Sequence, residues 1–179
     1  VKIPGTWQLA KFAVPTLGIW LSNPILSLVD SAVVGRFCPS SDLAALSPGS
    51  VVCDSSAYVF MFLAVATTNL YATALAKKDG KKAAAVVRHS LTLALGFGLL
   101  LSASIHLFAP QFLSAFTGDR AGPAVLAGAV RYASIRAWGT PAALVTNVAQ
   151  AACFGDKDAI TPLRAVWLAG ALNLLGDLV

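Results

Sequence analysis

The sequence contains no glutamate, and charged residues of all kinds make up only 12% of it. Soluble domains carry about 25% charged residues, so this composition excludes an ordinary soluble domain. The three cysteines are widely spaced and form no CxxC pattern, which argues against a cysteine metal site and favours a packing role. P-loop, GxSxG and HExxH motifs are absent as well. The sequence therefore gives no support for catalysis.

Long apolar runs dominate what is present. Hydrophobic residues make up 57% of the chain, and the mean hydropathy is +0.74. A helix that crosses a bilayer needs about 20 apolar residues, whereas the alternating strands of a β-barrel have no counterpart here. We therefore predict an all-α, polytopic transmembrane helix bundle. Extending the uncharged runs to their flanking turn residues gives five helices, at about 8–36, 43–76, 82–109, 122–154 and 159–179.

Basic residues predict the orientation of the bundle and its surroundings. The strongest cluster is the segment 77–82 with Arg88 just beyond it, and such clusters face the cytoplasm or its equivalent. This places the amino terminus on the same inner side. The net charge of +5 is spread between apolar runs, so we expect a lipid bilayer and no nucleic acid as partner. Arg131 and Arg136 depart from the rule, and we expect their helix to project beyond the bilayer before entering it at Trp138.

Two aspartates lie inside predicted spans. An ionised carboxylate is costly in hydrocarbon, so such an acid is a candidate for ion or substrate handling. By helical rise, Asp30 lies about 28 Å from the inner side, and Asp177 lies about 20 Å from it. Both acids are thus predicted in the outer half of the membrane, with Asn173 one turn before Asp177. The alternative is that either acid caps a broken helix or pairs with a base.

Further polar residues share helix faces. Asn23, Ser27 and Asp30 lie on one face of the first helix, and Asn147 and Gln150 are neighbours on the fourth. Since lipid offers no hydrogen bonds, polar faces of several helices favour a common cavity. Asn147 and Gln150 could equally join helices by hydrogen bonds. Asp54 falls at or beyond the outer boundary, where it is interpreted as a solvated acid at the mouth of the cavity.

Several segments together resemble one family of transporters. They are Val29-Asp30-Ser31-Ala32-Val33-Val34-Gly35-Arg36, Leu43-Ala44-Ala45-Leu46, Tyr132-Ala133-Ser134-Ile135-Arg136, Gly139-Thr140-Pro141, 150–155, Thr161-Pro162 and 173–177. In this order they resemble the multidrug and toxic compound extrusion (MATE) family along essentially the whole chain. The segment from Leu43 to Asp79 is especially similar to the plastid-type detoxification proteins of plants and algae.

The resemblance implies a fold, an activity and site residues. Twelve helices would form two six-helix lobes, of which residues 1–179 would be a truncated amino-terminal lobe. Organic solutes or xenobiotics would be exported in exchange for H⁺ or Na⁺. Asp30, Asn173 and Asp177 match the residues that line the family's cation site, and they would bind the proton or Na⁺. Pro15 matches the proline at which the first helix bends. The segment Gly35-Arg36-Phe37-Cys38 departs from the family's Gly-x-Leu-Gly, so the first outer loop is expected to differ.

The resemblance also implies partners and location. We expect a small organic substrate, no cofactor besides the coupling ion, and a monomer that works with its own carboxy-terminal lobe. The membrane would be the plastid envelope. Two other functions stay open. One is a flippase for lipid-linked precursors, with Arg131 and Arg136 as candidate phosphate ligands. The other is a membrane-embedded enzyme or assembly factor.

Overall fold

The computed structural model describes residues 5–37, 39–117 and 122–177, and every regular element in these ranges is an α-helix. The side chains of Gln8, Ser41, Asp42 and Asp177 are outside this description. The all-α prediction is confirmed. The helices are α1 (Thr6–Phe37), α2 (Ser40–Tyr58), α3 (Met61–Ala76), α4 (Gly80–Thr117), α5 (Pro123–Ala137), α6 (Thr140–Gly155) and α7 (Ile160–Asp177).

Two of the five predicted helices are broken. The predicted helix 43–76 is interrupted between α2 and α3, and the predicted helix 122–154 is interrupted between α5 and α6, so each of these two predicted helices is a pair of helices in the structure. Gly139 and Pro141 explain the second break, since proline fits the first turn of a helix that begins anew. At the first break, Phe60 leaves the helical region, with φ −93° and ψ 6°. Its neighbours include neither glycine nor proline, so packing decides this break.

The predicted end of the third helix at residue 109 was also wrong. α4 continues through Pro110 to Thr117, although proline removes a backbone donor and tends to end or kink a helix. Ala109 and Leu113 flank this proline and are 1% and 0% exposed. Burial of the helix on both sides of Pro110 stabilises the continuous geometry.

The core consists of two clusters. One joins α2, α4 and α5, and its largest fully buried side chains are Ile105 and Leu113. The other joins α3, α4 and α6 around Leu63 and Leu144. Phe60 packs against both clusters, and its ring lies 5.1 Å from that of Phe97. The first break therefore lies where the two clusters meet.

The two broken helices run parallel in a constant register. The side chain of Ala45 lies against Gly128, and that of Tyr132 lies against Gly49. Beyond the breaks, the Thr68 hydroxyl donates a 2.9 Å hydrogen bond to the Ala151 carbonyl. Partners differ by 83 positions in all three pairs. The breaks at 59–60 and 138–139 consequently lie within about one turn of the same level.

α1 and α7 form a second parallel pair. Leu163 of α7 lies against Gly18, and Leu26 lies against Gly170 further along both helices. Most of α1 faces outward; Leu28, for example, is 71% exposed. In water this surface would be an aggregation liability, whereas in a bilayer lipid or further helices can cover it. Three segments of the described chain are long and apolar enough to cross a membrane, namely Leu9–Phe37, Leu43–Ala76 and Gly80–Thr117.

Candidate cation site and an outer ion pair

Asp30 lies in the last quarter of α1, two turns before the helix ends. It is half-buried, and its Oδ1 atom is shielded from solvent. Ser31 beside it donates a 2.8 Å hydrogen bond to the carbonyl of Ser27, which satisfies this hydroxyl within the helix. An acid within an apolar helix is the kind of group that functional sites in membranes use.

The register of the α1–α7 pair places Asn173 level with Asp30. Leu26 packs against Gly170, Asp30 lies four positions after Leu26, and Asn173 lies three positions after Gly170. Both residues are thus about one helical turn beyond the same contact. Asn173 is exposed in the described chain, so its amide is accessible to water, an ion or a further helix.

Asp177 closes α7, but its side chain lies outside the described residues. The structure therefore places Asp30 and Asn173 at about the same level of two parallel helices. The role of all three residues in cation binding stays a prediction. The bend at Pro15 stays a prediction too; α1 is one continuous helix through Pro15 and Pro24.

The predicted cavity residues lie on separate parts of the bundle. Asn23 and Ser27 are exposed on α1, Asn147 is exposed on α6, and Gln150 is half-buried. α1 packs mainly against α7 and less against α2, whereas α6 packs mainly against α4 and α3. A cavity that joins all four residues would need further helices to close it, so it also stays a prediction.

Sequence reasoning missed an ion pair between the two broken helices. Arg136 of α5 donates a 2.7 Å hydrogen bond from Nη2 to Oδ1 of Asp54 on α2. Its Nη1 also lies 3.2 Å from the hydroxyl of Tyr132. The arginine and aspartate side chains are 40% and 53% exposed. The sequence did contain a signal, because Asp54 and Arg136 were both expected on the outer side of the membrane.

The ion pair bears on the interpretation of Arg131 and Arg136 as candidate phosphate ligands. Because Arg136 is engaged by Asp54 and Tyr132, it is not an isolated cation available to hold a phosphate in a cavity. Arg131 is exposed on α5, outside the core of the bundle. Neither arginine therefore strengthens the flippase alternative.

Comparisons with known proteins agree with this architecture. The family model MatE matches residues 15–179. The chain is 41% identical over 172 residues to Protein DETOXIFICATION 47, chloroplastic, of Arabidopsis thaliana, covering 96% of this chain and 31% of that protein. It is 31% identical over 180 residues to Protein DETOXIFICATION 44, chloroplastic, of the same plant, covering 95% of this chain and 34% of that protein.

A bacterial relative shows the same partial coverage. The chain is 29% identical over 171 residues to DNA damage-inducible protein F of Escherichia coli (strain K12), covering 96% of this chain and 36% of that protein. It thus spans about a third of the length of these curated relatives. No solved structure matches it. The family match, the plant relatives and the apolar helices together show that the chain belongs to the MatE family and is part of a multi-pass integral membrane protein.

Proposed function

We propose that the full-length protein is a secondary active antiporter of a plastid membrane. It exports small organic solutes in exchange for H⁺ or Na⁺. The observation that carries this proposal is the half-buried carboxylate of Asp30 at the level of Asn173 on the parallel helix α7. The names of the two plant relatives, which call them chloroplastic detoxification proteins, support the plastid location and a role in detoxification.

The coupling follows from charge at the α1–α7 pair. Protonation of Asp30, or Na⁺ binding by its carboxylate with the Asn173 amide oxygen, removes a negative charge from the apolar interior. Oxygen ligands of this kind suit hard cations. If Asp177 lies close to Asp30, the two acids titrate as one coupled pair. An ion that binds one conformation more tightly shifts the population toward it, and a solute bound to the same two-state element is then coupled to the ion.

The proposal needs no cofactor besides the coupling ion. The remaining helices, including a carboxy-terminal lobe of the same polypeptide, complete the solute cavity around residues such as Asn23, Ser27, Asn147 and Gln150. We propose that the unit is a monomer in the bilayer.

Full-length protein in proteoliposomes tests the assignment. Export of a fluorescent cationic dye is measured under an imposed proton gradient and, separately, under an imposed Na⁺ gradient. Asp30→Asn is expected to abolish gradient-driven export, because an amide can neither take up a proton nor carry the negative charge that attracts Na⁺. Asn173→Ala is expected to impair Na⁺-driven export more strongly than proton-driven export.

Asp156→Asn is the matched control, since it removes an acid from the exposed turn between α6 and α7. Its export should equal that of the wild type. Export by Asp30→Asn that keeps the wild-type response to both gradients would refute the role of Asp30 in coupling. Absence of gradient-driven export by the wild type, across a panel of organic solutes, would refute the antiporter itself.

A further inference from the structure

We infer that a groove between α3 and α4 at the inner end of the bundle binds an anionic glycerolipid. This inference is independent of the proposed antiport. This open groove, here called the inner groove, has a volume of about 610 Å³. Its lining contains one charged residue, Arg88, and otherwise consists of Tyr71, Leu75, Gly80, Ala83, Ala84, Val87 and Leu91.

A tight turn builds the inner groove. Lys78 has a positive φ of 56°, and Asp79 Oδ1 accepts a 2.9 Å hydrogen bond from the backbone N–H of Lys82. This cap fixes the start of α4, so α4 returns beside α3 as an antiparallel neighbour. Small side chains at Ala83 and Ala84 leave space between the two helices. The resulting trough is apolar along its length and open to the surroundings of the bundle.

Basic residues lie at the turn and along the α4 side of this trough. The segment 77–88 contains one acid, Asp79, and five basic residues, and all six side chains are exposed. The basic residues are Lys77, Lys78, Lys81, Lys82 and Arg88. Lys81 and Arg88 are seven positions apart on α4, so they lie on the same side of the helix as the groove-lining Ala84. Basic pockets between membrane helices on the inner side bind anionic headgroups. An apolar trough with a cationic edge therefore matches an amphiphile that carries a negative head.

A neighbouring groove indicates which way the headgroup points. It shares Tyr71, Val87 and Leu91 with the inner groove and has a volume of about 290 Å³. Its polar edge is formed by Asp156 and Asp158. An anionic head is repelled there and attracted at Arg88, while acyl chains can occupy the apolar surface that both grooves share. The two grooves together therefore favour one orientation of the lipid, with its headgroup between Lys81 and Arg88.

Native mass spectrometry of the full-length protein tests this site. Detergent-solubilised protein is titrated with palmitoyl-oleoyl phosphatidylglycerol and, in parallel, with the zwitterionic phosphatidylcholine of the same acyl chains. Wild type should bind the first lipid more tightly. The variants Lys81→Gln and Arg88→Gln should each weaken phosphatidylglycerol binding about five-fold, the effect of one cation near a membrane surface, and should leave phosphatidylcholine binding unchanged.

A second variant tests the trough separately from its charge. Ala84→Leu fills the exposed space between α3 and α4 and should weaken binding of both lipids. Lys11→Gln is the matched control, because it removes an exposed cation on the same predicted side but on α1. It should bind phosphatidylglycerol like the wild type. Soluble glycerol 3-phosphate should not displace the lipid, since it cannot occupy the apolar wall.

Three results would overturn the inference. The first is equal binding of the two lipids by the wild type. The second is unchanged phosphatidylglycerol affinity in both charge variants and in Ala84→Leu. The third is protection of residues 71–91 from a lipid-soluble carbene label in lipid-free protein, which would show that other helices of the chain fill the groove.

Discussion

Arg136 and Asp54 form a 2.7 Å ion pair in the last turns of α5 and α2. Each helix is interrupted immediately afterwards, and the interruptions lie within about one turn of the same level. The pair therefore joins the two helices close to the point where each is interrupted. Tyr132, one turn before Arg136, holds the guanidinium from its other side.

The ion pair should contribute modestly to stability, because both side chains are about half exposed. Asp54→Asn and Arg136→Gln are each expected to lower the thermal unfolding midpoint of the full-length protein in detergent. The swap of both charges, Asp54→Arg with Arg136→Asp, should recover part of the loss. A double-mutant cycle should give a coupling free energy of about 0.2–1 kcal/mol.

Arg131→Gln provides the control for this cycle. It removes an exposed arginine from the same helix and is expected to leave the unfolding midpoint unchanged. A coupling free energy indistinguishable from zero would contradict a stabilising role for the pair.

Gly98 permits the close approach of α4 to the start of α6. A Cβ atom added at this position would lie 2.5 Å from Cα of Pro141 and 3.2 Å from its Cβ. The obstructing atom belongs to the backbone, so the two helices must separate. We expect Gly98→Ala to destabilise the full-length protein by about 1–3 kcal/mol, the usual effect of overpacking.

Gly96 supplies the matched control. It lies two positions earlier on α4, and a Cβ there would have no neighbour within 4 Å. Gly96→Ala should therefore be neutral or stabilising, since alanine favours the helix over glycine. Equal unfolding midpoints for Gly98→Ala and the wild type would show that α4 and α6 separate more readily than this packing implies.

Asp158 caps the start of α7. Its Oδ1 accepts hydrogen bonds from the backbone N–H groups of Ile160 and Thr161, at 3.0 and 3.1 Å. Hydrogen bonding by Thr161 lowers the pKa of the Asp158 carboxyl below its ordinary value of 3.8. Because the pKa is lower in the folded protein, the ionised carboxylate stabilises the fold at neutral pH. This contribution is present above pH 3.8 and is lost as the pH falls through the lowered pKa.

The expected consequence is a pH-dependent effect of Asp158→Asn. The variant should unfold at a lower temperature than the wild type at pH 7, and the difference should shrink as the pH falls below 3.8. Scanning fluorimetry of full-length protein in detergent measures both midpoints. Asp156→Asn, two positions earlier in the exposed turn, should show no such trend. A difference that is constant with pH would mean that the charge of Asp158 does not contribute to the cap.

Particular residues show how far sequence reasoning reached. The turns near Lys77–Lys82 and 155–158 were predicted from their polar residues, and helices end there. The break at Gly139 results from the backbone chemistry of Gly139 and Pro141, which is visible in the sequence, although we predicted one helix there. The break at Phe60 has no local signal, because it depends on contacts with two clusters that lie far away in the chain.

The candidate cation site was likewise predictable from the sequence only in part. Asp30 and Asn173 could be singled out from the sequence, since a polar residue in an apolar run is conspicuous wherever the run is placed. The sequence did not show that the two residues lie at the same level, because that depends on which faces of α1 and α7 meet. The contacts of Gly18 and Gly170 decide that register.

The sequence by itself determined that this chain forms helices in a membrane, because apolar runs of sufficient length have no other stable state in lipid. It also determined the family, through the order of its motifs. The tertiary structure decided where the helices break, that Asp54 pairs with Arg136, and which residues of α1 and α7 stand side by side. These features depend on the shapes of facing side chains, and helical periodicity within one segment carries no information about the segment that packs against it.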